Sequence, residues 1–419
     1  MRALLALESF SNSIRMDEMK DSLIWYLFIS YNFISFAKKI EHMEIPFVYG
    51  KIVSDNDFTD REEETRKLVS NFLSQTNTAI ISPRRWGKSS LVNKAIESVA
   101  KSDNTILFVK MNAFKCETPQ DFYELFAKRT IECISSTAET LLSNAKEFIS
   151  RLLPKLSISD PAGQYEMSFG IDLKNNPIGE DILDLPQQIA MKRRKKVVVC
   201  IDEFQQIGEF AETDRFQKIL RSHWQEQTDV AYILYGSKKH MMLNIFGEYG
   251  SPFYKFGDLM FLPKISKENW VAYIKDRFTE TKKSISDDAA GHLADLVENH
   301  SYYVQQLAQY AWLRTDKVCS EEVVDAAFQG MLDSLNLQFV NLMDSLTEKQ
   351  RSFLCAVSDG VKNLSSVETL SRYRLGTSGN IRIIKGALKK RDLIEETGHQ
   401  VEIQDPLFKQ WIQRVYKKL

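Results

Sequence analysis

No cysteine or histidine cluster marks this chain of 419 residues. Its five cysteines, Cys116, Cys133, Cys200, Cys319 and Cys355, lie too far apart for a disulfide framework or a zinc site. The six histidines, His42, His223, His240, His292, His300 and His399, show no ligand spacing either. Scattered thiols of this kind, with Cys200 inside an apolar run, suit a reducing compartment, so a cytoplasmic location is expected. Net charge is also missing. The 55 lysines and arginines against 56 aspartates and glutamates give a formal charge of −1, so any contact with nucleic acid must come from a local patch. An apolar N-terminal stretch, residues 23–37, is shorter than the roughly 20 residues a spanning helix needs. It contains Asn32 and runs into Lys38-Lys39 where a small-residue cleavage site would stand. Three readings of it stand: a helix packed on the body, a short membrane-associated segment, and translation begun upstream of a true start at Met43. Membrane attachment is not expected. No N-K-x-D guanine-reading element occurs in the expected region, which argues against a GTPase.

The richest segment is Ser82-Pro83-Arg84-Arg85-Trp86-Gly87-Lys88-Ser89-Ser90. It follows the apolar Ala79-Ile80-Ile81 and opens the helical run Leu91-Val92-Asn93-Lys94-Ala95-Ile96. A strand that turns through such a loop into a helix aims backbone N–H groups and a helix N-terminus at one spot, where a polyphosphate can sit. Residues Ser82 to Ser90 are therefore the candidate nucleotide-binding loop, with Lys88 reaching the β- and γ-phosphates and Ser89 holding Mg²⁺. Ser82 stands where the G-x-x-x-x-G-K-[ST] pattern has its first glycine, and its small side chain should be tolerated.

A second motif, Val197-Val198-Val199-Cys200-Ile201-Asp202-Glu203, is an unbroken apolar run ending in two acids. A strand buried on both faces reads this way, and in open α/β sheets ligands sit at the carboxyl ends of such strands. Asp202 is the candidate Mg²⁺ ligand and Glu203 the candidate base for the attacking water. A third apolar run, residues 230–235, ends at Gly236-Ser237. Ser237 could contact the γ-phosphate or the water, or could be an ordinary turn serine.

These elements resemble the archaeal-type ATPases of the STAND branch of AAA+-like P-loop NTPases. The likeness extends to Phe58-Thr59-Asp60-Arg61-Glu62-Glu63-Glu64, Ile201-Asp202-Glu203-Phe204-Gln205, Ser251-Pro252-Phe253-Tyr254, Tyr302-Tyr303-Val304-Gln305-Gln306-Leu307 and Asp405-Pro406-Leu407-Phe408-Lys409-Gln410-Trp411. It covers roughly Met43 to the C-terminus. It implies an α/β fold with a P-loop NTPase parallel sheet of the ASCE type, a helical lid and a C-terminal winged helix. The implied divisions are an N-terminal extension (1–42), a P-loop ATPase domain (43–265) with an insertion at about 138–190, a lid (266–340) and a winged-helix domain (341–419). ATP and Mg²⁺ are the implied ligands. Where many relatives carry an arginine after the Pro-x-Tyr element, this chain has Lys255-Phe256. Arg221 is an alternative finger candidate, with a surface arginine on an amphipathic helix as the competing reading.

The rest of the chain is read from local pattern. A strand at 105–112 and a helix at 119–133 follow the loop, and residues 155–160 and 164–172 form a strand pair around Pro161-Ala162-Gly163. The run Lys192-Arg193-Arg194-Lys195-Lys196 is a basic cluster, either a solvated helix end or a nucleic-acid contact. Amphipathic helices are expected at 266–279, 287–299 and 302–314, the last with Tyr303, Leu307, Tyr310 and Ala311 on one face, and the resemblance implies that they form the lid. The small-residue turn before it reads Asn299-His300-Ser301, which leaves its contact with nucleotide open. Thr347 caps a helix, a short helix begins near Ser366, another runs to Lys390, and residues 393–396 and 400–403 flank Thr397-Gly398-His399 as a hairpin wing. Arg382, Lys385 and Lys389 share one face of the recognition-like helix. Two partners are therefore expected for this domain: duplex DNA, or the ATPase body itself in a regulatory clamp, the acidic Glu395, Glu396 and Glu402 opposing DNA. A protein partner or self-association also fits. The function expected is a Mg²⁺-dependent ATPase acting as a nucleotide-driven switch. The alternative is a DNA-binding or nuclease-partner regulator of a mobile element that holds ATP with little hydrolysis.

Overall fold

A computed structural model describes residues 45–51, 58–148, 153–158, 165–170, 178–398 and 400–418. The chain divides into two compact units, residues 1–46 and 47–419. In the first, only Ile45 and Pro46 are among the described residues, so the apolar stretch 23–37 and its three readings lie outside them. The second unit carries the fold.

Its first half alternates helix and strand: α1 (Glu62–Ser74), β1 (Thr78–Ile81), α2 (Lys88–Ala100), β2 (Ile106–Asn112), α3 (Pro119–Glu132) and α4 (Ala138–Phe148). An antiparallel hairpin of β3 (Leu153–Ile158) and β4 (Tyr165–Gly170) follows, with the expected Pro161-Ala162-Gly163 turn outside the described residues. Then come α5 (Leu185–Arg193), β5 (Lys196–Asp202), α6 (Thr213–Trp224), β6 (Val230–Gly236), α7 (Lys239–Phe246) and β7 (Asp258–Phe261). Five of these strands form one parallel sheet in the order β2-β5-β6-β1-β7. Strand β6 thus lies between the strand that precedes the phosphate-type loop and the strand that ends in acids.

The sheet is covered on both faces, which explains the unbroken apolar run of β5. Val197, Val199 and Ile201 face a core that includes Phe122, Phe126, Ile189, Leu220 and Trp224. Val198 and Cys200 face the opposite core, with Leu68, Phe72, Leu91 and Val92 of α1 and α2. Burial of both alternating sets is what a central parallel strand requires. Trp224 and Tyr232 stack with ring centroids 4.1 Å apart.

Beyond the sheet the unit is helical: α8 (Lys267–Glu280), β8 (Ser284–Ile285), α9 (Asp287–Leu296), α10 (Ser301–Arg314), β9 (Val318–Cys319) and α11 (Glu321–Asp344). Tyr303, Leu307 and Ala311 are buried, so that stripe of α10 is core. The C-terminal part holds α12 (Glu348–Ser358), α13 (Val367–Arg372), α14 (Ser378–Lys390), the antiparallel wing β10 (Ile394–Thr397) and β11 (Gln400–Ile403), and α15 (Pro406–Arg414). Thr347 caps α12 in a reciprocal capping box with Gln350. Among the described residues no helix is long and apolar enough to cross a membrane.

Candidate functional site

The carboxyl ends of β1, β5 and β6 open into a cleft of about 770 Å³. The loop after β1 reaches α2 through two left-handed residues, Arg85 at φ 63° and Gly87 at φ 86°. An added Cβ at Gly87 would meet nothing within 4 Å, so glycine is favoured there by backbone conformation and not by space. This turn directs the first N–H groups of α2 into the cleft, as an anion cradle requires.

Lys88 is the first residue of α2 and is buried. Its ammonium donates to the carbonyls of Ser82 (2.9 Å) and Pro83 (2.8 Å) and to the Ser82 hydroxyl (3.3 Å). Burial lowers its pKa from the usual lysine value to about 8, against the pull of Glu203 and Asp202, while Arg84 adds to the lowering. Ser89 donates to Asp202 Oδ2 at 2.9 Å. Burial raises the Asp202 pKa, although the Ser89 hydrogen bond opposes it and Glu203 adds to it. A cation and an acid are therefore both held where their charged forms are disfavoured. A polyphosphate would relieve the first and a divalent cation the second. Among the described residues no group of three His, Cys, Asp or Glu side chains could hold a metal by itself. The hydroxyl and single carboxylate of Ser89 and Asp202 instead fit Mg²⁺, a hard cation that keeps waters and takes its other oxygens from phosphate.

Glu203 follows Asp202 in the left-handed conformation, φ 52°, and its N–H donates to Asp202 Oδ1 at 2.8 Å. Its Oε2 accepts two hydrogen bonds, from Ser237 Oγ at 2.9 Å and Gln205 Nε2 at 2.5 Å. Ser237 reaches it because β6 lies beside β5. Of the sequence-predicted site residues, Arg84 to Ser90, Asp202, Glu203 and Ser237 line the cleft, whereas Ser82 and Pro83 do not and meet it only as acceptors for Lys88. Sequence reasoning had given no role to Gln205, which appeared only inside the Ile201–Gln205 match.

The same cleft is also lined by Val48, Tyr49, Phe58, Ile265, Trp270 and Tyr302, with Ser301 and Gln305. The turn into α10 does reach the cleft, the point left open by its sequence. The loop's three protruding side chains, which also line the cleft, contact neighbouring elements. Arg85 lies over the Tyr302 ring (4.3 Å), Trp86 meets His300 edge-on (6.5 Å), and Arg84 pairs with Asp392 (3.9 Å). Burial pushes the His300 imidazole down to about 4, and Lys264 and Arg85 push it further.

The candidates for other roles fare differently. Arg221 is not among the residues lining the cleft; its guanidinium stacks over Phe256 at 4.7 Å. Four cations of the basic run are engaged: Lys192 and Arg193 with Glu147, Lys195 with the Asn104 carbonyl and Lys196 with the Leu73 carbonyl. That run reads as a solvated, internally paired helix end. On α14, Arg382 and Lys390 are exposed, whereas Lys385 donates to Glu396 of the wing at 2.8 Å.

A family described as "Probable winged helix domain" matches residues 337–414. The fold is that of a P-loop ATPase with a C-terminal winged helix. Among solved structures, the chain is similar to the Walker-type ATPase of Pyrococcus abyssi (15% identity, TM-score 0.58, covering 88% of this chain and 100% of that one). It is also similar to the ORC2 protein of Aeropyrum pernix, solved in ADPNP and ADP complexes (14% identity, TM-score 0.51, covering 89% and 98%). At these identities the likeness concerns the fold alone. No curated protein matches by sequence.

Proposed function

We propose that this protein is a Mg²⁺-dependent ATPase of the STAND type whose nucleotide state sets the posture of its lid and winged helix. The observation that carries the reading is the convergence of Lys88, Ser89, Asp202, Glu203 and Ser237 in one cleft that is also lined by Tyr49, Phe58, Trp270 and Tyr302. The aromatic side chains suit a purine and the loop suits its phosphates. In this reading Lys88 exchanges its loop carbonyls for phosphate oxygens, and Ser89 with Asp202 holds Mg²⁺. The metal ion would neutralise phosphate charge. Glu203 accepts the proton of the attacking water, and Ser237 orients that carboxylate. The same reading divides the chain into ATPase domain (43–265), lid (266–340) and winged helix (341–419).

Titration with ATP, ADP and GTP, in Mg²⁺ or EDTA, together with phosphate release, tests it. Adenine nucleotides are expected to bind, and phosphate release is expected to need Mg²⁺. Absence of binding in Mg²⁺ would overturn the reading.

The switch rests on contacts between the C-terminal part and the elements before it, one of which reaches the loop. Asp392, just before the wing, pairs with Arg84 and with His240 Nδ1 (3.5 Å), and Lys239 at the start of α7 pairs with Glu395 of β10. Tyr303 of α10 donates to Asp405 at 2.7 Å, and Lys409 of α15 to Glu298 at 2.7 Å. Burial raises the pKa of Asp405, and the hydrogen bonds from Tyr303, Phe408 and Leu407 oppose it. Asp392→Asn, which leaves the cleft intact, is expected to speed release of a fluorescent nucleotide roughly two- to fivefold, the size of one partly exposed ion pair. An unchanged release rate would remove Asp392 from the coupling.

A second reading, DNA binding through the winged helix with ATP seldom hydrolysed, draws on the outward face of α14, where Arg382, Ile383 and Lys390 are exposed. The original trio of Arg382, Lys385 and Lys389 is weakened by the Lys385–Glu396 pair. Duplex binding that falls steeply with salt and is lost in Arg382→Glu/Lys390→Glu would favour this reading. No binding at low salt would leave the clamp.

A further inference from the structure

We infer that Gln205 is a positioning residue for Glu203, resting on the ATPase reading above. Gln205 is only 2% exposed, and its amide nitrogen donates to Glu203 Oε2 at 2.5 Å. The amide oxygen is buried and has no hydrogen-bond partner among the described residues. A buried, half-satisfied amide is unfavourable for folding, so this side chain sits where packing alone would prefer an apolar one. The backbone across from it is shaped to admit it: a Cβ added at Gly236 would stand 1.8 Å from Gln205 Oε1. Gly236 is not at a positive φ, so close approach, and not backbone conformation, calls for glycine there.

The consequence is geometric. Gln205 and Ser237 both donate to the same oxygen, Oε2, from different elements. Two donors on one oxygen fix the plane of the carboxylate and leave Oε1 as the oxygen that accepts the proton of a water in the cleft. Ser237 alone leaves rotation about the last side-chain bond of Glu203 open, since a hydroxyl donor swings with its partner. The amide is held by its own burial and by Gly236. A carboxylate free to rotate spends less time aligned with the water, and losses from misplacement by about 1 Å reach roughly a hundredfold.

The test is Gln205→Met, which keeps length and removes both the donor and the orphan oxygen, measured beside Gly236→Ala, which pushes the native amide away. Expected for both is a roughly 10- to 100-fold fall in turnover with nucleotide affinity within about threefold of wild type. A second expectation concerns stability without nucleotide. Gln205→Met should melt no lower than wild type, because it removes an unpaired buried polar atom, whereas a residue with a merely structural role would lose stability when replaced. In a Glu203→Gln background, Gln205→Met should cause no further fall in turnover, since it acts through that carboxylate. Wild-type turnover in folded Gln205→Met, or an equal fall in the Glu203→Gln background, would overturn the inference and leave the ATPase reading intact. Wild type that binds ATP in Mg²⁺ and never hydrolyses it would overturn both, and the wild-type assay shows this before any variant is read.

Discussion

Glu203→Gln is expected to bind ATP with wild-type affinity and to hydrolyse it at least about a hundredfold more slowly, the usual contribution of a positioned base. The substitution keeps the shape of the side chain and its left-handed backbone position. It also leaves Ser89 and Asp202, the candidate metal pair, in place. Only the proton acceptor is removed, and the two donors on Oε2, Ser237 and Gln205, then face an amide. Single-turnover hydrolysis separates the chemical step from product release and is the measurement of choice. A rate unchanged from wild type would mean that the proton leaves by another route and that Glu203 is a solvated acid at a strand end. A variant that also loses ATP affinity would mean that Glu203 holds nucleotide, and its role would need reassignment.

Lys88→Met should abolish nucleotide binding, a loss of a hundredfold or more in affinity, while leaving the empty protein at least as stable as wild type. The first half follows from charge: one buried ammonium faces the cradle, and no hydrogen bond or charge replaces it in the variant. The second follows from burial. Lys88 has its pKa lowered from 10.5 to about 8, and a shift of this size corresponds to a charged form disfavoured by on the order of 3–4 kcal/mol. Because the folded value lies below the unfolded one, the unfolded chain binds more protons between about pH 8 and the usual lysine value of 10.5. The penalty is thus fully present below pH 8 and fades as pH rises through that window. Melting curves of the two proteins without nucleotide should therefore differ most at pH 7, with the variant higher, and converge near pH 10. A wild type that melts higher at pH 7 would show that the hydrogen bonds from Lys88 to Ser82 and Pro83 outweigh its desolvation.

The lowered lysine, the raised aspartate and the left-handed glutamate share a cause. Each is a local cost kept at a site where a ligand would compensate it, and strain of this sort gathers at functional sites. The contacts of Arg84, Arg85 and Trp86 give that site its surroundings. One turn of chain touches Asp392, just before the wing, and Tyr302 and His300 at the start of α10, and these contacts are what the proposed switch would act through.

What the sequence determined by itself was whatever is encoded in neighbouring residues. The loop from Ser82 to Ser90, the apolar run into Asp202-Glu203, the Thr347 capping box and the hairpin wing are each set by local pattern, because helix caps, turns and buried strands depend on residues a few positions apart. Short β7 escaped notice: it is a four-residue edge strand, and the apolar run Leu259-Met260-Phe261-Leu262 is too short to tell a strand from a turn of helix by pattern alone. Tertiary structure alone decided who meets whom. Placing β6 between β1 and β5 brings Ser237 onto Glu203, and the close approach at Gly236 seats Gln205 there. Packing likewise turned Arg221 onto Phe256, tied Lys385 to the wing and engaged most of the basic run. Such pairings join residues 11 to 123 positions apart, and a charge or an amide carries no record of its partner until strand order and side-chain packing bring the two within reach.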